Sequence, residues 1–204
     1  MYHGARSMKS PEARAARLKM LELPHIAPLV RYAADLEVRL GVEVPHFDPA
    51  DGGIEARILF LKEKPGPKTS TKRPGFTGSG FISRDNDDFT AETTYRLMNE
   101  IGLDRRLTIM WNAIPGWNGQ IKFTPEERQA GLAEVPNLIR LLPKLEVVVL
   151  VGKNAWKAEP LLSRNDLTIF RSYHPSRRVC NSYPEHWRSI PFVWANAAAE
   201  LRKF

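Results

Sequence analysis

Four short apolar runs divide this chain, at residues 56–62, 107–111, 147–151 and 167–171. Each is of strand length, and a continuous apolar run of that kind reads as a strand covered on both faces. Between them the pattern changes to helical spacing. Leu18, Leu21, Leu29, Tyr32, Leu36 and Leu40 recur about every third or fourth position, with Pro24 and Pro28 as interruptions. This predicts two helices over residues 10–41, the first opened by Ser10-Pro11-Glu12 and the second closed by Gly41. Asp88 caps a helix that runs to Glu100 and stops at Gly102, and Pro125 opens another, continued over 135–142. Gly152 turns the third strand into a helix near Asn154, and a last helix runs from about Pro191 to Lys203.

Strand and helix alternating in this way imply an α/β fold, a three-layer α/β/α sandwich around a central four-stranded parallel sheet with right-handed crossovers. The length of 204 residues suits one domain over 10–204, with 10–54 as a helical extension packed on the core and 1–9 as a flexible tail. Met8 is an alternative start. The Pro, Asp and Gly-rich stretch 45–53 is a connector. Residues 66–80, dense in Gly, Pro, Ser, Thr, Lys and Arg, form a loop long enough to imply a role or disorder.

The composition narrows the classes of function. With 30 Lys and Arg against 23 Asp and Glu, the formal charge of +7 favours a polyanionic partner. A single cysteine, Cys180, excludes an intrachain disulfide and any iron-sulfur or zinc site built on several cysteines, so no metal or cofactor is expected. No apolar stretch nears the roughly 18 residues that span a bilayer, and the polar start reads as holding no secretory h-region; a cytoplasmic monomer with no membrane partner is expected. The Walker spacing, the G-x-G-x-x-G fingerprint and the G-x-S-x-G elbow are all missing, which excludes the common nucleotide and serine-hydrolase sites.

Three strand ends carry polar groups suited to chemistry: Glu63 in Glu63-Lys64-Pro65-Gly66, Asn112 after Trp111, and His174 in His174-Pro175-Ser176. In an open parallel sheet they lie along one edge, where the ligand crevice forms. Each also has a plain structural reading. Glu63 is either a water-activating carboxylate or a surface acid paired with Lys62 or Lys64. Asn112 either reads a base edge or bonds a loop, and His174 is either chemical or structural. Phe81, between Ser79-Gly80 and Ile82-Ser83, either stacks on a planar ligand or folds onto the core. Arg177 and Arg178 suit phosphate. The acidic run 85–88 lacks the glycine and terminal glutamate of a calcium loop, so Asp88 is read as a helix cap.

Taken in order, Glu63-Lys64-Pro65-Gly66, Gly80-Phe81, Trp111-Asn112-Ala113, the 147–152 strand and His174-Pro175-Ser176 resemble the motifs of the uracil-DNA glycosylase superfamily. The resemblance covers roughly residues 55 to 200. It is nearest to a divergent bacterial branch similar to the thermostable Glu-x-Pro-Gly branch, without that branch's iron-sulfur cysteines.

The resemblance implies a monofunctional DNA glycosylase that flips uracil, or a related deaminated base, and hydrolyses its N-glycosidic bond without a cofactor. Glu63 would direct water and His174 would stabilise the leaving base. Phe81, Asn112, Gly66 and Ser79 would hold the base, while Ser176, Arg177, Arg178 and Lys68 would meet single- or double-stranded DNA. Two departures stand out: Lys62 occupies the position where the family's first motif has glycine, and Lys64 replaces a small or polar residue. They motivate an alternative, a non-catalytic DNA-binding relative that keeps the fold. A hydrolase of free nucleosides is disfavoured by the positive charge.

Overall fold

The structure is a computed structural model, which describes residues 4–72, 75, 77–162 and 166–201. Four parallel strands form the main sheet: β2 (Ile58–Lys62), β4 (Thr108–Asn112), β5 (Val147–Val151) and β6 (Thr168–Ser172), in the order β4-β2-β5-β6. All four coincide with the predicted runs to within two residues. Their register pairs Ile58 with Thr108 and Val147, and Val147 with Thr168. The sheet is flanked by helices in an α/β/α arrangement. Every residue of β5 is buried, as its unbroken valine and leucine run requires. A smaller parallel pair, β1 (His46–Phe47) with β3 (Phe81–Ile82), escapes the sequence reading because two residues carry no period.

The helices begin where local chemistry places them. The Ser10 hydroxyl accepts from the Ala13 amide ahead of α1 (Pro11–Leu18). Helix α2 (Ala27–Leu40) ends at Gly41, whose φ of 65° is the left-handed conformation that glycine tolerates. Asp88 caps α3 (Phe89–Glu100) by accepting from the Ala91 amide at 2.9 Å. Thr124 and Glu127 close a reciprocal capping box on α4 (Pro125–Ala133), which is followed by α5 (Val135–Arg140). Beyond β6 lie α6 (Arg177–Ser182) and α7 (Pro184–Glu200). The last helix starts seven residues before the predicted Pro191, because Pro184 occupies its first turn and Pro191 is carried inside it. After β5 the chain forms a 3-10 helix, Ala155–Leu161, in place of the expected α-helix.

The start of the chain also departs from expectation. Residues 4–9, expected as loose tail, are docked: Met8 is buried and its amide donates to the Asp85 carbonyl, while Arg6 pairs with Asp87 and Glu92. Residues 1–3 of that expected tail lie outside the described residues, as do the final residues of the predicted C-terminal helix. Among the described residues, no helix is long and apolar enough to cross a membrane.

Beside the sheet lies a buried cluster of ions. Asp48 pairs with Arg17 and, at 2.6 Å, with Arg105; Asp85 pairs with Arg17 at 2.9 Å and Arg105 at 2.7 Å. Asp51 pairs with Arg105 at 2.7 Å and Arg84 at 3.3 Å. Burial pushes the Asp48 carboxyl up, but Arg105 and Arg17 outweigh it and hold it at about 2. At Asp51 burial dominates over the same kind of attraction and the carboxyl is raised.

Asp48→Asn is therefore expected to destabilise by about 3–5 kcal/mol, since it leaves buried guanidinium charge uncompensated, and Asp51→Asn by less. The Asp48 contribution is complete above the ordinary carboxylate range, near pH ~4, and is lost as pH falls towards about 2. Urea unfolding of wild type and both variants across acid pH checks the order and the slope. Equal costs for the two variants would contradict the assignment.

Candidate active site at the strand ends

The chain enters the main sheet at β2, adds β4 on one side, and returns to place β5 and β6 on the other. The carboxyl ends around such a reversal are where open α/β sheets bind ligands. Here they frame a cavity of about 280 Å³, at the small end for a ligand site. Lys62, Asn112 and His174 line it from three strand ends, with Gly66 and Lys68 from the turn after β2, Ile82 from β3, and Ser83, Asn86 and Asp88 from the segment after it.

Parallel register decides which side chains meet. Lys62 and Asn112 are partners across β2 and β4, so both leave the same face of the sheet. Lys62 Nζ donates to the Thr94 hydroxyl on α3 at 3.3 Å, and that hydroxyl donates onward to the Thr90 carbonyl at 2.8 Å. Burial lowers the Lys62 ammonium to about 8, with Arg84 adding to the effect and Asp88 opposing it. Asn112 is buried.

His174 is held against the end of β5. Gly152, just after β5, has a φ of +95° that favours glycine, and it packs against His174, whose side chain lies 3.5 Å from where a Cβ would stand, an ordinary contact. Burial, and then the charge of Lys62, lowers the imidazole to about 4. It is neutral at neutral pH and keeps one N–H to donate.

The other candidates are spread more widely. Glu63 stands between two lining residues but outside the lining, and its Oε2 accepts from Asn154 Nδ2 at 2.6 Å. Lys64 touches the cavity, but its ammonium is directed to Asn118 Oδ1 at 2.9 Å, Glu127 Oε1 at 3.1 Å and the Lys122 carbonyl at 3.2 Å. Lys68 lies 3.6 Å from Asp87.

Phe81 is not brought to the cavity. Its ring is fully buried, 5.9 Å from the His46 ring, while its neighbour Ile82 lines the cavity. Alternation along a strand accounts for this, since consecutive side chains take opposite faces. The Ser79 hydroxyl is likewise turned away: it accepts from the Phe81 amide at 3.0 Å and donates to the Phe81 carbonyl at 3.1 Å. Ser176 caps α6, accepting from the Val179 amide. The Arg177 guanidinium lies 4.6 Å over the Phe89 ring, and Arg178 is exposed.

Lys62 and Asn86 are among the lining residues that have no role in the sequence reading. Lys62 registers there only as a departure from a motif, although the predicted alignment of strand ends places it beside Asn112. Asn86 lies within the acidic run and gives no local signal. Its Nδ2 donates to the Phe81 carbonyl at 2.9 Å, which leaves its buried Oδ1 without a partner.

The family model for the Uracil DNA glycosylase superfamily matches residues 49–193, a span that includes every main-sheet strand and every cavity-lining residue. No curated protein matches the chain.

The proximity of Lys62 and His174 is testable apart from any activity. Removing the ammonium in Lys62→Met takes away a charge that opposes protonation, so the His174 imidazole should titrate above the wild-type value of about 4. An NMR titration of the histidine side chains measures this. An unchanged His174 titration in the variant would separate the two groups.

Proposed function

This chain belongs to the uracil DNA glycosylase superfamily, and from that premise we propose that it flips uracil, or a related deaminated base, out of DNA and hydrolyses the N-glycosidic bond to leave an abasic site. The observation that carries this reading is the meeting of Asn112 and His174, from separate strand ends, on the wall of one cavity.

The residues divide the work as follows. Asn112 donates to uracil O4 and accepts from N3–H, a pattern that cytosine presents reversed. His174, neutral because it is buried, donates its N–H to O2 as negative charge builds on the departing base. Glu63, its carboxylate held by Asn154, orients the water that attacks the deoxyribose carbon. Ile82, in place of Phe81, supplies apolar surface against the face of the base. Gly66 borders the base at the rim of the cavity, where its Cα faces open space. Lys68, in the turn after β2, and Arg177 and Arg178, in the first turn of α6 that Ser176 caps, face flanking phosphates.

A second reading is a DNA-binding relative without hydrolysis, favoured by the position of Glu63 outside the lining. Oligonucleotides carrying uracil, hypoxanthine or xanthine, incubated with the protein and then treated with alkali, separate the two, because only a glycosylase leaves alkali-labile sites. His174→Ala should lower the single-turnover rate by at least about 100-fold, roughly 2.7 kcal/mol, with little change in DNA affinity. Near wild-type cleavage in that variant would remove His174 from the mechanism.

Replacing both Arg177 and Arg178 with Ala should weaken DNA binding and reduce the log-log salt slope by up to about two. Equal slopes for variant and wild type would place the loop away from DNA.

A further inference from the structure

We propose that Lys62 restricts the cavity to bases carrying a ring carbonyl beside an N–H, the arrangement created whenever oxygen replaces the amino group of a nucleobase, and that it also stabilises the departing base. This rests on the glycosylase reading and names the group that sets its substrate class.

The placement comes first. Lys62 shares a sheet face with its register partner Asn112, and both line the cavity with His174. Its neighbour Lys64 is held by three oxygens outside the base-reading face, whereas Lys62 makes one long contact, 3.3 Å to the Thr94 hydroxyl. An ammonium has three donors and no acceptor. Among the described residues no carboxylate lies within ion-pair distance of Lys62, so two donors remain for a ligand.

The chemistry of a donor-only group then sets the selection. An amide such as Asn112 can turn over and present either its NH2 or its oxygen, so by itself it can accommodate a carbonyl or an amino group. An ammonium cannot. Set against the amino group of cytosine or adenine, it opposes donor to donor and leaves both unsatisfied in a buried site. Asn86 supplies the complementary half. Its NH2 is committed to the Phe81 carbonyl, which fixes its unpartnered Oδ1 as an acceptor on a residue of the same lining. Donor and acceptor together match the carbonyl and adjacent N–H of uracil, hypoxanthine and xanthine alike, the single N–H being shared between the Asn86 and Asn112 oxygens as a three-centre hydrogen bond. As the glycosidic bond breaks, the electron pair moves onto the base, and the ammonium faces growing negative charge.

The test compares wild type with Lys62→Met, which removes the donors at similar size, and Lys62→Gln, which can turn over as an amide does. Folding of each is checked by thermal melting. Single-turnover excision of uracil, hypoxanthine and xanthine should fall by at least about 100-fold in Lys62→Met, with DNA affinity retained. In Lys62→Gln the preference for uracil over cytosine should narrow by at least about tenfold. Wild-type excision should decline above pH about 8 as the ammonium loses its proton, and that limb should be missing in Lys62→Gln. A Lys62→Met rate within threefold of wild type, or an alkaline limb that persists in Lys62→Gln, would overturn the assignment. If wild type releases no base at all, the glycosylase reading fails, and Lys62 is judged by binding alone. Free uracil, hypoxanthine and xanthine should then shift the NMR signals of the Lys62 side chain, while cytosine and adenine should not; no shift, or equal shifts for all five, would refute the proposal.

Discussion

Three aspartates and three arginines, buried together beside the sheet, constrain the rest of this molecule. A buried ion must be met by opposite charge from several directions at once, and here those directions come from four stretches of chain: α1 through Arg17, the connector through Asp48 and Asp51, the segment after β3 through Arg84 and Asp85, and the turn before β4 through Arg105. Displacing any one segment leaves charge uncompensated, at a cost of several kcal/mol. The cavity wall at Ser83, Asn86 and Asp88 is interleaved with two members of this cluster, so its position is inherited from them. The cluster thus joins the N-terminal helices to the site, although none of those helices lines it.

The site depends on two further constraints of the sheet. The reversal of strand order around β2 opens a crevice at the carboxyl ends. Parallel register then puts Lys62 beside Asn112, and the turn after β6 brings His174, packed beside Gly152, to the same space. Low solvent access makes these groups act on one another: Lys62 and His174 are each pushed towards their neutral forms by burial, and the charge of one adds to the shift of the other.

The two lysines around Glu63 show how little adjacency says about role. Lys62, the last residue of β2, reaches Thr94 on α3 and the strand-end cavity, while Lys64, two residues beyond in the turn, is committed to the loop before α4 and to Glu127 on α4. Glu63 turns to Asn154 beyond β5 instead of pairing with either. A motif departure that looks like crowding in one dimension thus splits into one structural lysine and one lysine with donors to offer.

What the sequence by itself determined was the four strands of the main sheet, most of the helices between them, and their order. Runs such as 147–151 can only be strands buried on both faces, Asp88 and Thr124 carry their caps locally, and the alternation of strand and helix leaves the parallel sheet as the way to bury them. The strand-end candidates Asn112 and His174 were legible for the same reason, because position at the end of a buried strand is a property of the run itself. Tertiary structure decided everything that depends on partners distant in sequence. Phe81 faces the core and Ile82 the cavity because β3 pairs with His46 and Phe47, a two-residue contact with no period to read. Asp48, Asp51 and Asp85 look like loop acids until Arg17, Arg84 and Arg105 are brought to them. Lys62 differs from Lys64 only through register and the position of α3. Local propensity acts within a few residues, whereas burial, charge pairing and the identity of a hydrogen-bond partner are set by segments that meet only when the chain has folded.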